Sequence, residues 1–144
     1  MGDIKLNNIE EAKLSATKYL SKVISIDSEE KLCFVIIVFM QLINCILYKV
    51  EGDTARLTIK NINSMCKSNR IKCLFRFRNV MCHLYGTEEY VERVNQVIIL
   101  FGENYYSTIL LFIKEVVSSI NDNTFIEKYG VPEKDKFNSL KSLT

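Results

Sequence analysis

Apolar positions recur at helical spacing along most of the chain. From Ile4 to Ile26 they fall three or four residues apart among lysines and glutamates, which predicts an amphipathic first helix. Asp27 is the expected N-cap of a second helix, with Glu30 completing a capping box. This second helix should run from Ser28 to Val50, before the polar Glu51-Gly52-Asp53.

The second predicted helix contains the most apolar stretch of the sequence, from Leu32 to Tyr48. Its length is close to the roughly 17–25 residues that cross a bilayer, so a membrane span is one interpretation. Gln41, Asn44 and Tyr48, however, form a polar seam at i, i+3 and i+7. Such a seam is more typical of the central helix of a bundle, which is the interpretation we favour.

Two further helices are predicted in the middle of the chain. Asp53 caps a weaker one from Thr54 to Met65, followed by a turn to Asn69. Ser68 or Asn69 caps the next, which should continue to Tyr85, where Gly86 ends it.

Thr87 is the expected N-cap of a fifth helix whose first turn is acidic, as the helix dipole favours. This helix should reach Ile120 with a kink or break near Gly102, and a short helix ends at Tyr129. The pattern predicts an all-α antiparallel bundle of four to five main helices. We expect one domain over residues 1–130 and a polar tail over 131–144.

Composition adds constraints on the chemistry. Five glycines and one proline leave few turn signals for a protein of many short strands. The five cysteines are an odd number with no CxxC pair, so they are expected to be small buried hydrophobes in a reducing cytoplasm, with no metal site and no cofactor. No signal sequence opens the chain, which predicts a cytoplasmic protein.

The charge is strongly polarised along the sequence, although the net value is only +2. Between Asp53 and Glu88 there is no carboxylate and there are seven cations, so this window holds +7 and the remainder −5. The seven are Arg56, Lys60, Lys67, Arg70, Lys72, Arg76 and Arg78. Such a window attracts phosphate backbones, although a solvated basic face without a ligand has the same composition.

His83 is the only histidine in the chain and lies near the end of this basic window. Its side chain is the one suited to exchange protons near neutral pH. On a helix, Arg76, Asn79 and His83 share a polar stripe opposite apolar residues such as Phe77 and Met81. A single histidine is often structural, but its cationic and amide neighbours favour a catalytic role.

The segment Arg78-Asn79-Val80-Met81-Cys82-His83 resembles the signature of the HEPN superfamily, in which an arginine on a late helix is followed by a polar residue and then, four to six positions after the arginine, by a histidine. The continuation through Leu84 to Tyr85 is similar to the His-x-Tyr extension of HepT-like toxins. The resemblance covers about ten residues in detail. It implies an HEPN-type bundle that acts as a metal-independent ribonuclease, a toxin or host-defence effector.

The resemblance also implies roles for individual residues. Arg78 and His83 would be catalytic at a site shared by two protomers of a homodimer, and Tyr85 would be adenylylated by a nucleotidyltransferase antitoxin. Asn79 is expected to orient the imidazole or hold phosphate. Within the basic window, the expected RNA-binding residues are Lys67, Arg70 and Lys72.

Helical geometry leaves the catalytic arginine open. Arg78 lies about 140° round an ideal helix from His83, whereas Arg76 is nearly in line with it, so both arginines are retained. Two other functions also remain: a non-catalytic module that binds nucleotide or nucleic acid beside a nucleotidyltransferase, and a helical scaffold with an incidental histidine. We expect aromatic residues of the helix that carries His83 to pack across the two-fold axis of a dimer.

Overall fold

A computed structural model describes residues 2–47, 62 and 66–130, and it confirms the all-α class. In this part of the chain the helices are α1 (Gly2–Lys22), α2 (Glu29–Leu47), α3 (Asn69–His83), α4 (Glu88–Phe101), α5 (Tyr105–Asn121) and the short α6 (Phe125–Tyr129). The helix predicted between Thr54 and Met65 lies outside the described residues except for Ile62, which is helical and fully buried. The tail predicted over residues 131–144 also lies outside them.

Helix α2 is the core element of the bundle. It packs against α1 on one side and α3 on the other. Its largest fully buried side chains are Leu32, Ile36, Phe39, Met40, Leu42 and Ile43. Burial of each such side chain stabilises the fold by roughly 1.5–3 kcal/mol, which explains why the most apolar stretch of the sequence becomes the centre.

The membrane interpretation of α2 receives weak support. Glu29–Leu47 is long and apolar enough to cross a bilayer, with a mean hydropathy of 2.0, but 56% of this stretch is buried within the fold. Asn44, from the predicted polar seam, is itself completely buried. The arrangement is compatible with the core helix of a soluble protein.

The turn between α1 and α2 differs from its prediction in two respects. α1 ends at Lys22 rather than Ile26, and Val23 and Ile26 enter the core from a non-helical segment. The expected Asp27 cap is also wrong. The hydroxyl of Ser28 accepts the hydrogen bond of the Lys31 N–H at 3.2 Å, which makes Ser28 the residue that caps α2.

The segment that joins α3 to α4 is set by local hydrogen bonds. Ser68 caps α3 through the Ile71 N–H, as predicted, and Thr87 caps α4 through the Tyr90 N–H. α3 ends at His83, two residues before the predicted end, because Leu84 leaves helical geometry while its N–H still bonds the Val80 carbonyl. Gly86, with φ of +82°, completes the turn in a conformation that favours glycine.

The predicted break near Gly102 is confirmed. Gly102 has φ of +92°, and its N–H closes α4 on the Ile98 carbonyl at 2.7 Å. α4 and α5 meet there at a bend of 63°. The bend lets α5 pack against α1 while α4 stays beside α3, so α3 is flanked by α2 and α4.

Candidate functional site

Helix α3 carries the four predicted catalytic residues and buries apolar residues that the sequence assigned to its inner face. Leu74, Phe77 and Met81 are buried, whereas His83 is exposed at the last helical position. Arg76, Arg78 and Asn79 are half-buried. The prediction that the histidine lies away from the core is therefore confirmed.

The Arg78 side of α3 faces α2. Cys82, one turn after Arg78, lies with its Sγ 4.0 Å from Sγ of Cys33 on α2. Burial raises the pKa of the Cys33 thiol to about 11, Cys82 adds to this shift, and the positive charge of Arg78 opposes it. Arg78 therefore lies on the side of α3 that faces α2, where its charge acts on Cys33.

The Arg76 side of α3 faces α4 across a groove of about 300 Å³. The groove is lined by Asn69, Lys72, Cys73, Arg76, Gln96, Ile99 and Leu100. Burial raises the pKa of the Cys73 thiol, and the nearby charges of Arg93 and Arg76 oppose that shift. Two cations, two amides and an aliphatic wall thus line one groove, with a third cation close by.

Arg93 and Gln96 were not singled out from the sequence. On α4, Nη1 of Arg93 donates to Oε1 of Gln96 at 2.7 Å, which holds the amide at the edge of the groove. Residues three positions apart on a helix are ordinarily neighbours, so this spacing alone does not indicate a site. The only available signal was the positive charge of Arg93 among the acids that begin α4.

Tyr85 lies in the turn after α3 and contacts the beginning of α2. Its hydroxyl donates a hydrogen bond to Oε2 of Glu29 at 2.9 Å, and its ring lies 4.9 Å from the ring of Tyr90. The hydrogen bond to the Glu29 carboxylate and its charge raise the pKa of the Tyr85 phenol. The side chain is still 64% exposed, so its surface is available to a partner.

The carboxylate-free window of the sequence is not free of carboxylates in space. Glu29 and Glu30 enter from α2 and line a pocket of about 270 Å³ with Cys33, Met81 and Tyr85. The end of α3 therefore has two carboxylates as well as Arg78 toward α2, while the groove toward α4 is basic. In the described ranges, no group of three or more histidine, cysteine, aspartate or glutamate side chains is placed to hold a metal ion.

The three expected RNA-binding cations divide into two environments. Nζ of Lys67 donates to the Glu127 carbonyl of α6. The guanidinium of Arg70 lies 5.0 Å from the centre of the Phe101 ring and 5.6 Å from that of Phe112. Lys72 lines the groove with Arg76. Lys67 and Arg70 thus take part in packing at the other end of α3.

Other predictions about burial are partly wrong. Cys45, Cys66 and Cys73 are buried as expected, but Cys82 is exposed and Cys33 is half-buried. Of the aromatic residues expected at a dimer interface, Phe75 and Phe77 are completely buried within the fold, whereas Tyr85 is exposed. The two cysteines differ from the prediction because burial depends on which helix packs over a side chain as well as on its residue type.

A larger cavity, of about 430 Å³, lies at the bend between α4 and α5. Ile26 and the residues from Glu103 to Ser107 line it. None of the predicted site residues lines this cavity.

Comparison of the chain with protein-family models, with curated proteins and with solved structures finds no match.

Proposed function

We propose that the protein is a metal-independent endoribonuclease of the HEPN type, a cytoplasmic toxin or host-defence effector. The observation that supports this most directly is the position of His83. It is the only histidine, it is exposed at the end of α3, and the preceding two turns carry Arg76 and Arg78 toward opposite flanks of the helix. An accessible imidazole on the same helix as two guanidiniums is suited to chemistry on a phosphodiester.

The proposed reaction is attack of an RNA 2′-hydroxyl on the adjacent phosphorus. The 2′-oxygen loses its proton to a base, the bond from phosphorus to the 5′-oxygen breaks, and the leaving oxygen takes a proton from an acid. The products are a 2′,3′-cyclic phosphate and a 5′-hydroxyl. His83 serves as base or acid, and a homodimer places two imidazoles at one site, since each chain supplies one.

The two arginines take different parts in this proposal. Arg76 is seven residues before His83, so the two lie about 20° apart on an ideal helix, and Arg76 also lines the groove toward α4. In this proposal Arg76 holds the phosphate of an incoming strand. Arg78, which the family resemblance ranks first, would stabilise charge on the phosphorane oxygens from the α2 side. Asn79 orients the imidazole or binds phosphate.

A second function, binding without catalysis, is favoured by the groove itself. Its cations and amides suit phosphate and base edges, and its aliphatic wall suits a base face, but His83 is not among its lining residues. In this alternative the protein presents nucleic acid or a nucleotide to a partner nucleotidyltransferase.

The decisive experiment compares wild-type protein with His83→Ala on single-stranded and structured RNA in EDTA. Wild type should leave cyclic phosphate ends, and His83→Ala should lose cleavage while keeping its helical circular dichroism. Asn95→Ala, which alters an exposed residue of α4, is the matched control and should cleave normally. Cleavage retained by His83→Ala would contradict the mechanism. Salt-sensitive RNA binding without cleavage by any of the proteins would support the binding module.

Two cellular tests follow from the toxin proposal. Expression of the wild type alone should stop growth, and His83→Ala should relieve that arrest. Co-expression with a small nucleotidyltransferase should add AMP to the exposed Tyr85 hydroxyl, and mass spectrometry should find no adduct on Tyr85→Phe. A folded wild type that is harmless when expressed alone would contradict the toxin assignment.

A further inference from the structure

Two cysteine thiols on different helices face each other beside the candidate site. Sγ of Cys33 on α2 lies 4.0 Å from Sγ of Cys82 on α3, although 49 positions separate them in the sequence. Cys82 is exposed and directly precedes His83, whereas Cys33 is half-buried. A disulfide requires its sulfurs at about 2.05 Å. The two sulfur atoms must therefore move about 2 Å closer, a distance that small side-chain rotations can cover.

We propose that Cys33 and Cys82 form a reversible disulfide when the protein meets a hydroperoxide. The Cys82 thiolate attacks the peroxide, so that a sulfur–oxygen bond forms, the oxygen–oxygen bond breaks and Cys82 becomes a sulfenic acid. The Cys33 thiol then loses its proton as its sulfur attacks the Cys82 sulfur, the sulfur–oxygen bond breaks, and the hydroxyl leaves with that proton as water. In total, two thiols lose two protons and two electrons, and one hydrogen peroxide becomes two waters.

The surroundings of the pair assign the two roles. Burial and the neighbouring Cys82 raise the pKa of Cys33 to about 11, so Cys33 remains a thiol at neutral pH. Cys82 is the member of the pair that solvent and oxidant reach. Cys45, Cys66 and Cys73 are buried, which leaves Cys33 as the thiol in contact with an oxidised Cys82.

The bond would tie the last turn of α3 to α2. Since Cys82 adjoins His83, and Arg78 lies beside the pair, oxidation would fix the part of α3 that carries the proposed catalytic groups. Control of RNA cleavage by this bond rests on the proposed function. Formation of the bond itself does not, and it is measured without RNA.

The test treats the reduced full-length protein with hydrogen peroxide at neutral pH and then blocks free thiols with N-ethylmaleimide. Before blocking, the expected product is a monomer two mass units lighter than the reduced protein. After unfolding and blocking, it carries three N-ethylmaleimide groups where the reduced protein carries five, and one disulfide-linked peptide pair holds Cys33 and Cys82. Dithiothreitol should reverse it. The closed loop should raise the melting temperature by roughly 5 °C.

Variants make the outcome specific. Cys33→Ser should stop at a Cys82 sulfenic acid that dimedone traps, Cys82→Ser should yield no disulfide, and Cys73→Ala on the same helix should still form the bond. Overoxidation of Cys82, or a disulfide between two chains, would overturn the proposal. If wild type cleaves RNA, oxidation should slow cleavage at least tenfold, and the Cys33→Ser control should resist that loss. An oxidised protein with an unchanged rate would overturn the regulatory role alone.

Discussion

The Tyr85 hydroxyl donates a hydrogen bond of 2.9 Å to Oε2 of Glu29, and this contact joins the end of the proposed catalytic segment to the first turn of α2. The two residues are 56 positions apart. The carboxylate holds a phenol that is 64% exposed, so it adds one contact with α2 to a turn that local hydrogen bonds set.

Replacing Glu29 should lower the pKa of the Tyr85 phenol. The hydrogen bond and the negative charge of Glu29 are the main causes of its raised pKa, because both favour the protonated phenol. Glu29→Gln removes the charge and weakens the bond. Titration of the tyrosines, followed by NMR of the ring carbons, should show the Tyr85 phenol ionising at lower pH, together with Tyr105 and Tyr106, whose pKa values are raised by burial and also by the charge of Glu29.

Two further variants identify that phenol. Tyr85→Phe should remove the shifted transition from the titration curve, and Glu88→Gln, an exposed acid in the first turn of α4, should leave it in place. The Tyr85 contact is contradicted if Glu29→Gln titrates like the wild type.

The cations of the groove should contribute more than Lys67 to the salt dependence of RNA binding. Lys72→Gln and Arg76→Gln each remove a charge from the groove between α3 and α4. Each should reduce the slope of log affinity against log salt by about 1, as expected when one phosphate contact is lost. Fluorescence anisotropy with labelled RNA from low to moderate salt measures the slope.

Lys67→Gln is the matched control, since it removes the same charge from a residue that bonds the Glu127 carbonyl. It should change the slope less than either groove variant does. Equal reductions for all three variants would indicate attraction by the whole basic window, and the groove would then have no special part in binding.

Arg70 should contribute mainly to stability. Its guanidinium lies over the rings of Phe101 and Phe112, and cation–π contacts at exposed sites contribute about 0.5–1 kcal/mol. Arg70→Gln should therefore lower the free energy of unfolding by about 1 kcal/mol in urea, with the dependence on urea unchanged. Lys72→Gln, two residues along the same helix, should change it by less than about 0.5 kcal/mol. A similar loss in both variants would contradict the role of the rings.

Local signals in the sequence predicted much of the scaffold. Thr87 caps α4 and Gly102 ends it because hydroxyl caps and left-handed glycines act within a few residues. The exposed position of His83 could also be predicted, because the apolar face of a helix follows from the spacing of apolar residues along it. Such signals do not depend on how helices are arranged.

The contacts around the site could not be predicted in this way. Glu29 meets Tyr85, and Cys33 meets Cys82, only because α2 and α3 pack at a particular register. Helix packing admits several crossing geometries, and no local pattern selects one. The sequence likewise indicated that Arg76 and Arg78 point in different directions, but not that one faces α4 and the other α2.

Stability should fall in alkaline solution partly through Cys33. Its pKa is about 11 in the folded chain and 9.0 as the ordinary value, so the folded state keeps the proton more tightly than the unfolded state does. The resulting stabilisation is complete below pH 9 and is lost as pH rises toward 11, because the unfolded chain releases its proton first.

Urea unfolding under reducing conditions at pH 8 to 11 should show a shallower decline of the free energy of unfolding for Cys33→Ala than for wild type. Cys82→Ser should fall between them, since Cys82 contributes to the shift. Parallel declines in all three proteins would show that the Cys33 thiol is not held in its protonated form by the fold.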